Sequence, residues 1–392
     1  MESSVYQINN SVKRMAFLLC LCALWACKEQ KTTNQMANCC HQINIENSQK
    51  YNPIDSAIKH VQVIPLQTDS IALIEYIDRI EMDEQYIFIL DVNNNFFIFR
   101  MNGEFVAKIA ASGRGPKDIT RLRNFYIDTY KKRICIFDDI RQSIFKYNYE
   151  GEFINRVPCK EPVCNSVLEM QMLSENEVLL TLSYDPEITS SYALIDATTY
   201  SLQEKLLPYP YHWQLSCTDG NFPKQCRHWS GHYAVHLLSD TLYKYENRQF
   251  VPWLAFQSGK KPFTGLKPKT VKDYGDLVSY AHSHKLSTGI QRVLMTDSIG
   301  YTDLFYDGNN NHVFWNLNTF KTVYTPLFGG YPNALKDFNV CSATKDYFIG
   351  FILPSQINLE VLQKECSAEV VEKLSHVRMD DNPVLVFYPI SF

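Results

Sequence analysis

The 392-residue chain has no excess of positive charge: 38 Lys and Arg stand against 42 Asp and Glu, a formal net charge of -4, with an isoelectric point near 6.2. Without a basic field, nucleic-acid binding is disfavoured as an activity, since phosphate neutralisation supplies most of that affinity. The chain also lacks the short motifs of common chemistries. No Gly-rich loop ends in Gly-Lys-Ser/Thr, no Cys-x2-Cys or His-Glu-x-x-His pair exists, and no Gly-x-Ser-x-Gly elbow occurs, which removes the usual sequence handles for nucleotide, zinc and serine-hydrolase sites. No apolar run reaches the ~20 residues of a spanning helix. What the chain does have is 45% hydrophobic and 13% aromatic residues, with 24 Tyr and 23 Phe, a composition that fits sheets and excludes wholesale disorder.

Those residues are arranged in one pattern written twice. Ile87–Asp91, Phe96–Arg100, the turn Asn102-Gly103 and Phe105–Ile109 are matched by Ile134–Asp138, Ile144–Tyr147, the turn Glu150-Gly151 and Phe153–Val157. Asp91 and Asp138 lie 47 positions apart, within the ~40–50-residue period of propeller blades and solenoid repeats. Short runs rich in Ile, Phe, Tyr and Val between turn residues read as antiparallel strands. Such a meander leaves both faces wet unless it stacks on copies of itself, and a closed ring hides most edges. The expectation is all-β, a six-bladed β-propeller of four-stranded antiparallel blades.

Continued along the chain, the pattern places blade three at Leu168–Leu207, blade four at Gln225–Phe256 and blade five at Ile290–Tyr324. The last blade has only Asn339–Ala343, Tyr347–Leu353 and Pro383–Pro389, and Ile58–Leu66 has no hairpin partner. The N-terminal strand is therefore expected to close the ring as the missing fourth strand. Between the last strands, Leu359, Leu362, Cys366, Val370 and Leu374 recur at helical spacing, one helical insertion near the C-terminus.

The N-terminus carries a targeting signal. Lys13-Arg14 precedes the apolar run Met15–Ala26, which stops at Leu24-Trp-Ala-Cys27 and resembles a bacterial lipoprotein signal with Cys27 as the lipidated residue. Expected organisation is residues 1–26 as signal peptide, 27–55 as a polar, aperiodic flexible tether, and 56–392 as the propeller, lipid-anchored to the outer membrane. Of the cysteines, Cys159/Cys164 and Cys217/Cys226 are close enough to form disulfides in an exported protein, while Cys135 inside a strand reads as a buried small hydrophobe.

Val63-Ile-Pro-Leu66, Ile89-Leu-Asp91, Asn102-Gly-Glu-Phe105, Gly113-x-Gly-Pro116, Asp240-Thr-Leu-Tyr243 and Asp381-Asn-Pro-Val-Leu-Val-Phe387 together make the chain similar to the six-bladed β-propeller lipoproteins of Bacteroidetes, which resemble NHL-repeat propellers in architecture. After the Gly-Pro loop, Lys117-Asp118-Ile119 stands where that family usually has Gly-Glu-Tyr. The resemblance implies fold and export; it assigns no activity.

Candidate ligand-binding residues are Arg114 in the Gly-Pro loop, Trp213, Arg227, His228 and Trp229 around blade four, and His282 beyond it. The aromatics Tyr209, Tyr211, Trp213, Phe222 and Trp229 can stack a sugar or simply fill inter-blade space. His212, Cys217, Cys226, His232 and His236 enrich the same stretch, but His232 and His236 on a strand stand ~13 Å apart, too far for one metal; no metal or cofactor is expected. Asp138, Asp139, Asp185 and Asp219 read either as an acid and base pair at the channel or as turn residues. The chain is expected to be a membrane-anchored module binding a glycan, a peptide or an envelope protein. The competing reading is a carbohydrate-active lyase or hydrolase acting at the central channel, and the irregular insertions after blades three and four are the first places to seek a site.

Overall fold

The computed structural model describes residues 39–110, 113, 115–183, 188–208, 233–236, 239–261, 274–306, 308–327 and 329–392. Six sheets form the ring. Blade one contains β4 (Ile77–Met82), β5 (Tyr86–Asp91), β6 (Asn95–Arg100) and β7 (Phe105–Ala110); blade two contains β8 (Leu122–Asp128), β9 (Arg133–Asp138), β10 (Ser143–Tyr147) and β11 (Phe153–Pro158). Blade three follows as β12 (Val167–Ser174), β13 (Glu177–Leu182), β14 (Ser190–Asp196) and β15 (Leu202–Pro208). In blade four, β16 (Tyr233–Val235), β17 (Thr241–Glu246) and β18 (Gln249–Gln257) are described, and its expected first strand, 225–229, lies outside the described residues. Blade five holds β19 (Ile290–Met295), β20 (Ile299–Tyr306), β21 (Asn309–Asn316) and β22 (Thr322–Pro326), and blade six holds β23 (Val340–Ala343), β24 (Phe348–Ile352) and β25 (Val384–Tyr388). The strands alternate direction, so each first strand begins on the same face of the ring. That face, here the entry face, also carries every turn between second and third strands.

Ring closure follows the expected plan. β3 (Gln62–Pro65) pairs antiparallel with β25, Val63 opposite Val386 and Ile64 opposite Leu385. It is shorter than the expected Ile58–Leu66, because Pro53 opens a helical turn, α1 (Ile54–Ala57), before the strand begins. The expected tether also differs. β1 (His41–Asn44) runs parallel along β18, β2 (Gln49–Lys50) runs parallel along β22, and Ile43 and Ile45 are buried. β1 buries one residue, Ile43, and β2 buries none, which leaves no alternation for a sequence reading to detect. The N-terminal segment thus covers the outer edges of blades four and five before completing blade six, which satisfies edge groups that would otherwise be exposed.

Hydrophobic side chains from facing sheets fill the spaces between blades. Phe88, Phe96, Phe125 and Phe145 form one such layer between blades one and two. The twin Gly turns explain how close these sheets come: Gly103 and Gly151 have φ of 87° and 81°, and a Cβ there would lie 2.3 Å from the Pro65 carbonyl oxygen or 2.8 Å from Ala107 Cβ. Glycine meets both demands at once. The helical insertion is two short helices, α3 (Leu359–Glu365) and α4 (Ala368–Ser375), where one was expected; Cys366 ends the first and the Ser367 side chain caps the second by accepting the Val370 N–H. Cys159 and Cys164 form a disulfide, Cys135 is buried, and Cys217 and Cys226 lie outside the described residues.

Candidate functional site

The innermost strands share a defect that puts polar side chains around the channel. Pairing between first and second strands slips once near the strand start in blades one, two, three, five and six. Arg79, Asn124, Glu169, Arg292 and Ser342 stand at these slips, where a bulge re-aims a side chain. Arg79, Glu169 and Ser342 line a cavity of about 140 Å³ that also touches Glu81, Gln171 and Thr181.

Two arginines dominate the channel's electrostatics. The Arg79 guanidinium donates to Asn124 Oδ1 at 2.5 Å and to the Met170 carbonyl at 3.0 Å, pairs with Glu81, and lies 4.4 Å above the Phe125 ring. It therefore links the inner strands of blades one, two and three. Burial raises the Glu81 carboxyl, and the Arg79 charge opposes that shift. On the other side, Arg292 holds Asp303 at 2.8 Å, donates to Tyr301 Oη at 3.2 Å, and reaches the Val340 carbonyl of blade six. Burial alone would raise Asp303; Arg292 and His312 outweigh it and hold the carboxyl at about 2.

Among the described residues, the cavity beside Arg79 is small. A volume of about 140 Å³ is that of four or five water molecules at ~30 Å³ each and well below the ~300 Å³ at which small-molecule pockets begin. Among the described residues, no group of three or more His, Cys, Asp or Glu side chains is placed to hold a metal ion.

Most of the residues singled out from sequence are not among the described ones. Arg114, Trp213, Arg227, His228 and Trp229 lie outside the described residues, as do Cys27, His212, His232, Asp185 and Asp219. His282 occupies the last turn of α2 (Tyr274–Ser283), exposed and stacked on Phe305 at 4.0 Å. Lys260 approaches the same ring at 4.6 Å. Burial first, and Lys260 second, lower the His282 pKa. Asp138 is a turn residue, accepting the Ile140 and Arg141 N–H groups at 3.0 Å, and Asp139 takes Arg121 in a bidentate pair. Sequence reasoning missed the channel positions, although their signal was present: 45 residues separate Arg79 from Asn124 and Asn124 from Glu169.

His236 and Asp240 sit at the two ends of one turn in blade four. His236 Nδ1 lies 2.9 Å from Ser191 Oγ of blade three, and Ser287 donates to Asp240 Oδ1 at 2.5 Å from the approach to blade five. Burial lowers His236 to about 3, while burial, against Ser287 and Lys260, raises Asp240 to about 6. The signs oppose. A depressed His236 contributes stability that is present above its unfolded value of 6.5 and is lost as pH falls toward 3. A raised Asp240 contributes stability that is present below 3.8 and is lost as pH rises through 6. His236→Gln is therefore expected to gain on wild type by about 3 kcal/mol between pH 7.5 and pH 4, at ~1.4 kcal/mol per pKa unit. Urea unfolding at both pH values measures this, and a variant-to-wild-type difference that does not change with pH contradicts it.

Large apolar side chains left in solvent mark a second feature. Ten of them are exposed among the described residues. Ile71, Leu73, Tyr76, Val92, Ile140, Leu327 and Met379 belong to entry-face connections, and Tyr51 follows β2 toward the same face; Tyr130 is on an opposite-face turn and Ile154 on the outer edge.

Comparison with known proteins places this architecture. A family model described as a domain of unknown function (DUF4934) matches residues 40–389. A solved structure from Bacteroides fragilis, of a protein named for its expected export, is similar with a TM-score of 0.67 at 17% identity, covering 90% of this chain and 99% of that one. A member of the duf4221 family from Bacteroides vulgatus is similar with a TM-score of 0.53 at 12% identity, covering 84% of this chain and 96% of that one. At these identities the likeness concerns fold. None of the curated proteins matches the chain.

Proposed function

The chain belongs to the DUF4934 family, and from that premise we propose that it is an exported, lipid-anchored protein-interaction module that binds an envelope protein through its entry face. The observation that carries this reading is the distribution of exposed apolar side chains, eight of ten on one face. Large apolar side chains gathered on one face of a ring mark it as the face that meets a partner. Export and anchoring draw support from the Met15–Cys27 signal and from the resemblance to a protein named for expected export. Among the described residues the channel offers less: its arginines are engaged in holding blades together, and the cavity beside Arg79 is about 140 Å³.

The alternative, a carbohydrate-active enzyme, places its acid and base among Glu81 and Glu169. Thermal shift separates the two readings. A panel of mono- and oligosaccharides at high concentration is expected to leave the unfolding temperature of wild type unchanged, because a ligand at ~100 times its Kd would add about 2.7 kcal/mol. A saccharide that shifts wild type but not a Glu81→Gln, Glu169→Gln variant would overturn the proposal in favour of the channel.

A further inference from the structure

The connection between β3 and β4 is long enough to be loose, yet it is fixed in place. The Asn382 side chain, buried in the approach to β25, accepts the Ile74 N–H at 2.8 Å and donates to the carbonyls of Gln67 at 2.8 Å and Ala72 at 2.5 Å. Its backbone N–H donates to Thr68 Oγ1 at 2.8 Å. Asp69 Oδ1 accepts from the Ile71 and Ala72 N–H groups at 2.8 and 3.0 Å. With Ala72 and Ile74 pinned inward, Ile71, Leu73 and Tyr76 are held outward.

Val92, whose N–H donates to the Tyr76 carbonyl, and Met379, on the turn leading to Asn382, extend the same surface. These five side chains are between 42% and 75% exposed. At ~150 Å² for a large side chain they present on the order of 400 Å², the size of the largest patch a monomer normally shows.

The rim of this patch is mainly acidic. Asp69, Glu75, Asp380 and Asp381 surround it, with Arg378 the one cation on the same turns. Glu75 is fixed by Asn93 at 2.5 Å, and Asp381 accepts the Arg378 N–H at 2.8 Å. An acidic rim repels an anionic bilayer and repels a second copy of itself, while an apolar segment flanked by Lys or Arg satisfies both centre and rim.

We infer that the junction of blades six and one is a docking site for a basic amphipathic segment of a partner protein. This deepens the proposed function and rests on it. The site is preformed, so binding requires little ordering of the ring, and the charges are exposed, so they act mainly on association rate and salt dependence.

The test uses the lipidated full-length protein in detergent and a fluorescent model peptide of Leu and Lys in amphipathic order, with a Leu and Glu peptide of equal length as control. The Leu/Lys peptide is expected to bind, to weaken as salt rises, and to lose about tenfold in affinity with Leu73→Ser, Met379→Ser or with Glu75→Lys, Asp380→Lys. Tyr130→Ser on the opposite face is expected to leave binding unchanged. Four results would overturn the inference: equal binding of the Leu/Glu peptide, affinity unchanged by the patch variants, adsorption to anionic phosphatidylglycerol vesicles that the patch variants abolish, or concentration-dependent self-association that Leu73→Ser abolishes. If the patch fails while Ile140 or Leu327 variants lose an envelope partner, the entry-face reading survives and only this assignment of its site falls.

Discussion

Asn382→Ala is expected to destabilise the ring by about 3–5 kcal/mol, one of the two largest effects of any single substitution considered for this chain. The side chain closes a seam between residues more than 300 positions apart in sequence. Its removal strands the Ile74 N–H and the Ala72 carbonyl in a buried site, each at a cost of ~1–3 kcal/mol, while water can reach the part-buried Gln67 carbonyl. The loss falls next to the closure, because Asn382 lies just before β25 and its partner Gln67, just after β3, also donates its N–H to the Gly103 carbonyl at 2.8 Å. Asn382→Asp keeps an acceptor for Ile74 but loses the donor and adds a buried charge, so it should do no better at pH 7 and recover partly in acid. Urea unfolding measures both variants. A cost under ~1 kcal/mol would show that the seam does not depend on this residue. The alanine variant should also release Leu73 from its outward position and weaken peptide binding at the patch.

Arg292→Leu is expected to cost about 3–5 kcal/mol for a different reason: it leaves Asp303 among Tyr301 and His312 without its counter-charge. The substitution also removes the bond from blade five to the Val340 carbonyl of blade six. Much of this penalty comes from the stranded carboxylate and not from the pair's own net attraction. Adding Asp303→Asn should therefore recover roughly half of the loss. A double-mutant cycle by urea denaturation provides the measurement. If the two single effects simply add, the ion pair is not what holds this part of the channel wall.

The sequence revealed most where local chemistry and global fold agree. Blades one and two were legible because Ile and Phe alternate with turn residues at a regular interval, and the need for a closing strand followed from counting three strands in blade six. β1 and β2 were not legible, since their strand character comes from the uncovered edges of β18 and β22 and from few apolar residues of their own. The break at Cys366-Ser367 was hidden because the apolar spacing continues across it, although Ser367 is a helix-capping residue type.

Candidate sites fared differently. Trp213, Arg227, His228 and Trp229 were chosen for density of reactive side chains and lie outside the described residues. His282 falls in the helix α2, where its exposed ring stacks on Phe305. Arg79, Asn124 and Glu169 belong to no motif, and only their shared 45-residue spacing marks them in the sequence. Asn382 stood within a motif whose resemblance had been noted, but its four hydrogen bonds appear only when both chain ends meet.

The most direct test of entry-face recognition is a photo-crosslinking amino acid placed at Leu73, Ile140, Thr181 or Tyr130 of the full-length protein in its own membrane. The account predicts a defined adduct with one envelope protein from Leu73, a weaker one or none from Ile140, and none from the channel position or from Tyr130 across the ring. An adduct formed only at Thr181 or Tyr130 would contradict it.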